Sequence, residues 1–289
     1  MDINFSLKDK SSEIKRNAFI ENLTFFRERA KVSNFFEPSS VNELKSVLEK
    51  AREENLEISI IADGTHSIIS ECGIDGLLIS TRKLKGMTIK GNLITASAGE
   101  RLNDVINTAI EHNLTALEEL GGIPGTIGGA LYLDAHYQNV RLSDYVFYAD
   151  YMDYDGNIYR KPHYMDYFSQ EGVPSGKNEI ILSVSLALKP NSRTAEARKR
   201  KEDFVALQFV PPCMNMCGLV FDLDESLYST LDECASSFDS PCSIRMNSLF
   251  TFPETRASEI KEFIEKVIKE MKMKYGISVK ETLSFLGKF

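Results

Sequence analysis

Gly121-Gly122-Ile123-Pro124-Gly125-Thr126-Ile127-Gly128-Gly129-Ala130 is the stretch on which the reading of the whole chain turns. Five of its first nine residues are glycine, a residue that admits positive φ and lets a bulky ligand come against the backbone. Pro124 stiffens the turn, and Thr126 sets a hydroxyl between the glycines. Ala130-Leu131-Tyr132-Leu133 follow at once, so the stretch is no floppy linker. Amide groups held rigidly in this way form an anion nest suited to a pyrophosphate. A tight structural turn packed under a helix is the alternative, and the commoner one for a bare glycine pattern.

A chain of 289 residues suits one large or two medium domains with ample length for a buried core. Its formal net charge of −8 excludes a nucleic-acid backbone as the main partner. The one compact basic cluster, Arg198-Lys199-Arg200-Lys201, reads as a solvated helix face. No apolar run reaches membrane-span length and Met1-Asp2-Ile3-Asn4 lacks a signal-peptide pattern, so the expectation is a cytoplasmic protein with no membrane partner. Five cysteines, odd in number and sparse, suit reduced thiols. Cys213 and Cys217 lack a histidine-rich neighbourhood, and no metal site is expected.

Outward from the glycines, Ser40-Val41-Asn42-Glu43 reads as a capping box opening a helix striped by Val41, Leu44, Val47 and Leu48. Ile58 to Ala62 reads as a buried strand running into Asp63-Gly64-Thr65-His66-Ser67, a turn able to touch a phosphate or a ring, or to serve as plain punctuation. Short strands are expected at Leu77 to Ser80, Met87 to Ile89 and Leu93 to Ala98, then a helix from Leu102 to His112. Asp155-Gly156 signals a hairpin, Glu179 to Leu188 a long strand, and Pro190-Asn191-Ser192 a boundary. Thr194 to Leu207 reads as a charged helix. Ile260, Phe263, Ile264, Val267, Ile268 and Met271 stripe another that stops before Gly276. The fold class is α+β.

Together with Leu117-Glu118-Glu119-Leu120, the central stretch resembles the "LE-x-L-x-G-I-P-G-T-V-G-G-A" segment of the UDP-N-acetylenolpyruvoylglucosamine reductases (UDP-N-acetylmuramate dehydrogenases) of peptidoglycan synthesis. Asp63 to Ser67 sits where that family has its "G-G-S-N" flavin loop, and Gly276 to Gly287 is similar to its C-terminal motif. The resemblance implies an FAD-binding fold of the vanillyl-alcohol oxidase / PCMH type with a C-terminal α+β substrate-type domain. It implies an FAD-binding domain over residues 1–190 in two subdomains split near 90. A substrate-type domain would span 191–275, and a tail, 276–289, would return toward the flavin. FAD would be held by Asp63, Gly64, Thr65, His66, Ser67, Gly121, Gly122, Ile123, Pro124, Gly125, Thr126, Gly128, Gly129 and Ala130. In that family hydride passes from NADPH to FAD and on to an enolpyruvyl double bond, with a serine as acid and an arginine and a glutamate in support.

At the matching positions this chain departs from the family. The arginine falls on Phe168, the serine on Leu219, the glutamate on Thr282 beside Glu281, and a phosphate-binding lysine on Asp222. Leucine cannot donate a proton, phenylalanine cannot stabilise an enolate, and Asp222 would repel a diphosphate. The early "R-I-G-G-P-A" segment reads Arg27 to Val32 without its glycines, and "N-A-G-A-Y-G" reads Asp134 to Asn139. Cys217 is a candidate substitute proton donor, although packing is the simpler role. His66 superficially resembles a covalent flavin histidine, with a loop hydrogen bond the favoured reading; His136 is a candidate pocket residue. No catalytic residue is assigned. The favoured function is an FAD-binding protein with lost or altered catalysis, able to act through a protein partner if silent. The alternatives are an active NADPH-dependent reductase with rearranged groups and an FAD oxidoreductase with another substrate.

Overall fold

The computed structural model describes residues 13–21, 23–26, 30–162, 178–207 and 215–289. Phe168, His163, Cys213 and Arg27 to Arg29 lie outside the described residues. The chain divides into two compact units. Among the described residues the first holds 13–14, 35–63, 78–162 and 178–207, and the second 15–21, 23–26, 30–34, 64–77 and 215–289.

In the first unit, helix α1 spans Val41–Glu53 and buries Leu44, Val47, Leu48 and Ala51. Ser40 Oγ accepts the Glu43 N–H at 3.2 Å, while the Glu43 carboxylate takes the N–H of Ser39 at 2.8 Å. The cap is therefore the one read from Ser40 and Glu43, with its return bond moved one residue outward. A five-stranded sheet follows the order Ile158–Pro162, Val146–Asp153, Glu179–Ala187, Leu93–Ser97, Met87–Lys90. Every neighbouring pair is antiparallel. Gly156 takes φ 84° in the hairpin between the first two, the conformation that Asp155-Gly156 announced.

Glu179–Ala187 is central and buried on both faces from Ile180 to Leu186. Its two serines are paired there, Ser185 Oγ with the Thr95 hydroxyl at 3.0 Å and Ser183 Oγ with Asp150 Oδ2 at 3.0 Å. Helix α2 (Leu102–Glu111) buries Leu102, Val105, Ile106, Ala109 and Ile110, the stripe its 3.6-residue period requires. That stripe joins Ala149, Tyr151, Val184 and Leu186 of the sheet in one core with Ile127 and Leu131 of helix α3 (Ile127–Tyr132). Each Leu, Ile or Val side chain among them contributes about 1.5–3 kcal/mol when fully buried.

Helix α4 (Thr194–Leu207) departs from the solvated face expected of its basic cluster. Arg198, Lys199 and Arg200 are exposed, but Lys201 is only 8% exposed. Its Nζ donates to Asn103 Oδ1 at 3.1 Å and Asn107 Oδ1 at 2.5 Å, both on α2.

The second unit holds a three-stranded antiparallel sheet in the order Asn215–Cys217, Ser248–Thr251, Cys242–Arg245. Helix α5 (Tyr228–Ser236) and helix α6 (Ala257–Tyr275) share its core, where Ile260, Phe263, Ile264, Val267 and Met271 form the expected stripe. Gly276, at φ 70°, ends α6 in the left-handed conformation that glycine takes most cheaply. Ser67–Ile69 pairs in parallel with Ser284–Leu286, in register Ser67 to Ser284. Among the described residues no helix is long and apolar enough to cross a membrane, and no group of three His, Cys, Asp or Glu side chains could hold a metal ion.

Candidate functional site

The glycine-rich stretch lies wholly in the first unit. Its backbone is fastened to the turn before α2. The Ile127 N–H donates to Glu100 O at 2.7 Å and the Leu102 N–H to Gly125 O at 3.0 Å, flanking an antiparallel bridge between Arg101 and Thr126. The Gly128 N–H donates to Ala98 O at 2.9 Å, and the Gly129 N–H to Thr126 Oγ1 at 3.2 Å, which makes Thr126 the N-cap of α3. The Ile123 N–H goes to Leu120 O at 3.0 Å.

That census leaves three amides over. The N–H groups of Gly122, Gly125 and Thr126 make no hydrogen bond among the described residues. Thr126 is 2% exposed, and a buried N–H left without a partner costs about 1–3 kcal/mol. Gly125 sits at φ 115°, where only glycine is comfortable. Gly128 and Gly129 are there for close approach: a Cβ on Gly128 would lie 2.7 Å from Ala98 Cβ, and one on Gly129 would lie 3.2 Å from Ala62 Cβ. The glycines thus divide into those whose missing side chain is needed for packing and those whose amides are uncommitted. Three uncommitted amides on a rigid, glycine-rich turn fit a diphosphate such as that of FAD.

Downstream, Asp134 is 3% exposed and binds Arg141 Nη1 at 2.5 Å and the Ser143 N–H at 3.2 Å. Asp134 and Gln138 hold positive φ values of 48° and 51° without being glycine. His136 is half-buried with Nδ1 3.0 Å from Asp134 O.

Asp63 belongs to the first unit, whereas Gly64 to Ser67 belong to the second. Gly64 takes φ 67°, and a Cβ there would overlap the Leu23 carbonyl. The Phe25 N–H closes the same turn by donating to Gly64 O at 3.2 Å. Next along, the half-buried His66 is held at both ring nitrogens. Nε2 lies 3.2 Å from Leu219 O and 3.1 Å from Thr282 Oγ1, and Nδ1 lies 3.2 Å from Cys217 Sγ. The Thr282 hydroxyl donates to the same Leu219 carbonyl. Because a carbonyl only accepts, the arrangement assigns the proton to Nε2 and leaves Nδ1 to accept the Cys217 S–H.

Local pairing brings these distant residues together. The Ser284 N–H donates to His66 O at 3.0 Å and the Thr282 N–H to Val220 O at 2.9 Å. Leu219 stands at φ 52° in a turn that Asn247 clamps: its Oδ1 accepts the Phe221 N–H at 3.0 Å, and its Nδ2 donates to Phe221 O at 2.8 Å. Burial lowers the His66 pKa, opposed by the Leu219 carbonyl, and burial pushes the Cys217 thiol up. Imidazole and thiol are therefore both neutral near pH 7, and the thiol is no nucleophile. Glu281 is exposed and pairs with Phe221, so strand alternation turns it away from the face that Thr282 takes. Asp222 is also exposed.

The structure therefore gathers His66, Cys217, Leu219 and Thr282. Asn247 was not legible in the sequence, since Met246 and Asn247, at φ 49° and 56°, form a tight hairpin without the usual Asn-Gly. Lys201 was hidden inside a charge run.

Comparison with known proteins bears on both regions. The FAD binding domain family matches residues 32–161. A UDP-N-acetylenolpyruvoylglucosamine reductase of Clostridium novyi is 25% identical over 296 residues, covering 98% of this chain and 94% of the relative. A UDP-N-acetylenolpyruvoylglucosamine reductase 2 of Bacillus cereus is 33% identical over 145 residues, 50% of this chain and 48% of the relative. The crystal structure of the Thermus caldophilus reductase superposes with a TM-score of 0.75 at 17% identity, covering 95% of this chain and 99% of that one. The fold is thus the PCMH-type FAD-binding fold with mixed α and β content. Over almost its full length the chain is thus similar to a UDP-N-acetylenolpyruvoylglucosamine reductase.

Proposed function

We propose that this chain is an FAD-binding protein of the cytoplasm in which the enolpyruvyl reduction named in its relatives is lost or altered. FAD supplies hydride transfer when bound. The chain's own contribution is to orient the cofactor through Gly122, Gly125 and Thr126, with residues 1–190 as the FAD-binding part and 191–275 as the substrate-type part. What carries the reading is the closed hydrogen-bond network on His66. The Leu219 carbonyl and Thr282, at positions where the family has an acid and a glutamate, take up the imidazole Nε2–H, and Cys217 takes up Nδ1. A neutral imidazole and a thiol pushed above its usual range leave no ready proton donor among these groups near pH 7.

Purified protein is expected to bind FAD, with a yellow visible spectrum and a raised Tm. NADPH oxidation is expected to show no acceleration on adding UDP-N-acetylglucosamine enolpyruvate. Acceleration would restore the reading of an active reductase with rearranged groups. Rapid bleaching of the flavin by NADPH without that response would point to another substrate.

A further inference from the structure

We propose that Lys201 is a positioning residue for the glycine-rich loop, setting the geometry in which the Gly122, Gly125 and Thr126 amides meet a diphosphate. The inference rests on the FAD reading of that loop. Lys201 is 8% exposed and its Nζ donates to Asn103 Oδ1 at 3.1 Å and Asn107 Oδ1 at 2.5 Å. Among the described residues these two amide oxygens are its polar partners, with no carboxylate beside them, and a buried cation without a carboxylate is costly to hold. What the lysine supplies is reach. Its stem passes over Gly121, where an added Cβ would overlap Lys201 Cγ and stand 3.0 Å from Cδ, and its tip ends on α2.

The neighbouring residue works on the other side of the same glycine. Arg200 Nη2 bonds Glu119 Oε1 at 2.6 Å and lies 3.8 Å from Glu118 Oε2. Glu118–Leu120 form the 3₁₀ turn that leads into Gly121, and the Gly121 N–H donates back to Glu118 O at 3.1 Å. Two consecutive cations of α4 thus tie down the entrance to the loop, one to the turn before it and one across it to α2. The first uncommitted amide, that of Gly122, comes immediately after. Gly121 is glycine because this lysine crosses it.

The test is the Kd for FAD, read by flavin fluorescence on the full chain, with near-UV circular dichroism as a check on folding. Lys201→Met keeps the stem and removes the ammonium; it is expected to raise Kd about tenfold, as loss of a charge-assisted hydrogen bond would. Gly121→Ala is expected to raise it further. The Gly121→Ala, Lys201→Ala double variant is expected to bind better than Gly121→Ala alone, because the new Cβ takes the space the stem vacates. A lysine that only stabilised the fold would lower Tm and leave the Kd of the folded protein unchanged. Should Lys201→Ala fail to fold, Asn107→Ala must still raise Kd. A parent protein that does not bind FAD overturns the reading of the loop. A parent that binds while these variants match it, or add independently, overturns the role of Lys201 alone.

Discussion

In the first unit the glycine-rich stretch leaves three backbone amides without a partner among the described residues, whereas in the second the polar atoms around His66 satisfy one another. The first region is shaped by its glycines, and its letters follow the family segment closely. The second closes on itself through side chains that differ from the family pattern at Leu219 and Thr282. The contrast teaches that a turn built from backbone and a network built from side chains answer to different constraints. A turn requiring glycine at several places has few alternatives, while a proton donor can be replaced by any side chain that finds a partner.

The largest effects should come from filling the glycine positions in either region. Gly128→Ala sets a Cβ 2.7 Å from Ala98 Cβ and 2.9 Å from Ala98 O, in a segment that cannot withdraw because the Gly128 N–H is bonded to that carbonyl. A cost of about 3 kcal/mol or more is expected from such overpacking, together with loss of FAD binding. Gly64→Ala should cost a similar amount, since φ 67° and the Leu23 carbonyl both oppose a Cβ. Denaturant titration of the soluble fraction measures both. A Gly128→Ala variant of parental stability would show that the first region is looser than its packing indicates.

Next comes Asn247→Ala. Asn247 is fully buried, and its amide satisfies both backbone groups of Phe221. Removing it strands a buried N–H and a buried C=O at about 1–3 kcal/mol each. The same titration should therefore show a loss of a few kcal/mol. The sharper expectation is local: hydrogen exchange at Val220 and Phe221 should rise well above the rest of the unit. Uniform exchange would break the claim that Asn247 holds the turn carrying Leu219.

Much of each region is legible in the amino-acid sequence, for reasons of range. The Asp155-Gly156 hairpin, the α2 face and the α6 stripe ending at Gly276 are local patterns with local causes. Thr126 between glycines is local too, and it is the cap of α3. The His66 network could not be seen, because it joins residues 151, 153 and 216 positions apart in sequence. The burial of Lys201 was masked by Arg198, Lys199 and Arg200, which do face solvent. A charge run has no periodicity that singles out its inward member. Nor did the three-stranded sheet of the second unit announce itself, since Asn215-Met216-Cys217 and Cys242-Ser243-Ile244-Arg245 are short and half polar.

A smaller effect separates the regions by pH. Burial depresses the His66 pKa, so the unfolded state binds the proton more readily than the folded one. Stability from this group is full above the unfolded value, near 6.5, and falls as pH drops below it until the depressed folded pKa is passed. One such histidine gives a slope of at most about 1.4 kcal/mol per pH unit in that window. Tm recorded between pH 8 and 5 should fall on the acid side, and His66→Gln should flatten part of the fall. An unchanged slope in that variant would mean the imidazole is not held neutral by its surroundings.

The smallest expected effect lies back in the glycine-rich stretch. Thr126 Oγ1 accepts the Gly129 N–H at 3.2 Å, so Thr126→Ala removes the cap of α3 at a cost of about 1 kcal/mol. In a protein of this size that is a Tm shift of about 2–4 °C. Thr126→Ser keeps the hydroxyl and should lose little. The informative outcome is how FAD binding responds, because the Thr126 N–H survives both substitutions while the Gly129 N–H is released only by alanine. If the diphosphate is held by Gly122, Gly125 and Thr126, the alanine variant should bind FAD no more tightly than the serine variant. Tighter binding by the alanine variant would mean that the freed Gly129 amide joins the nest. The glycines now assigned to packing would then be ligands as well.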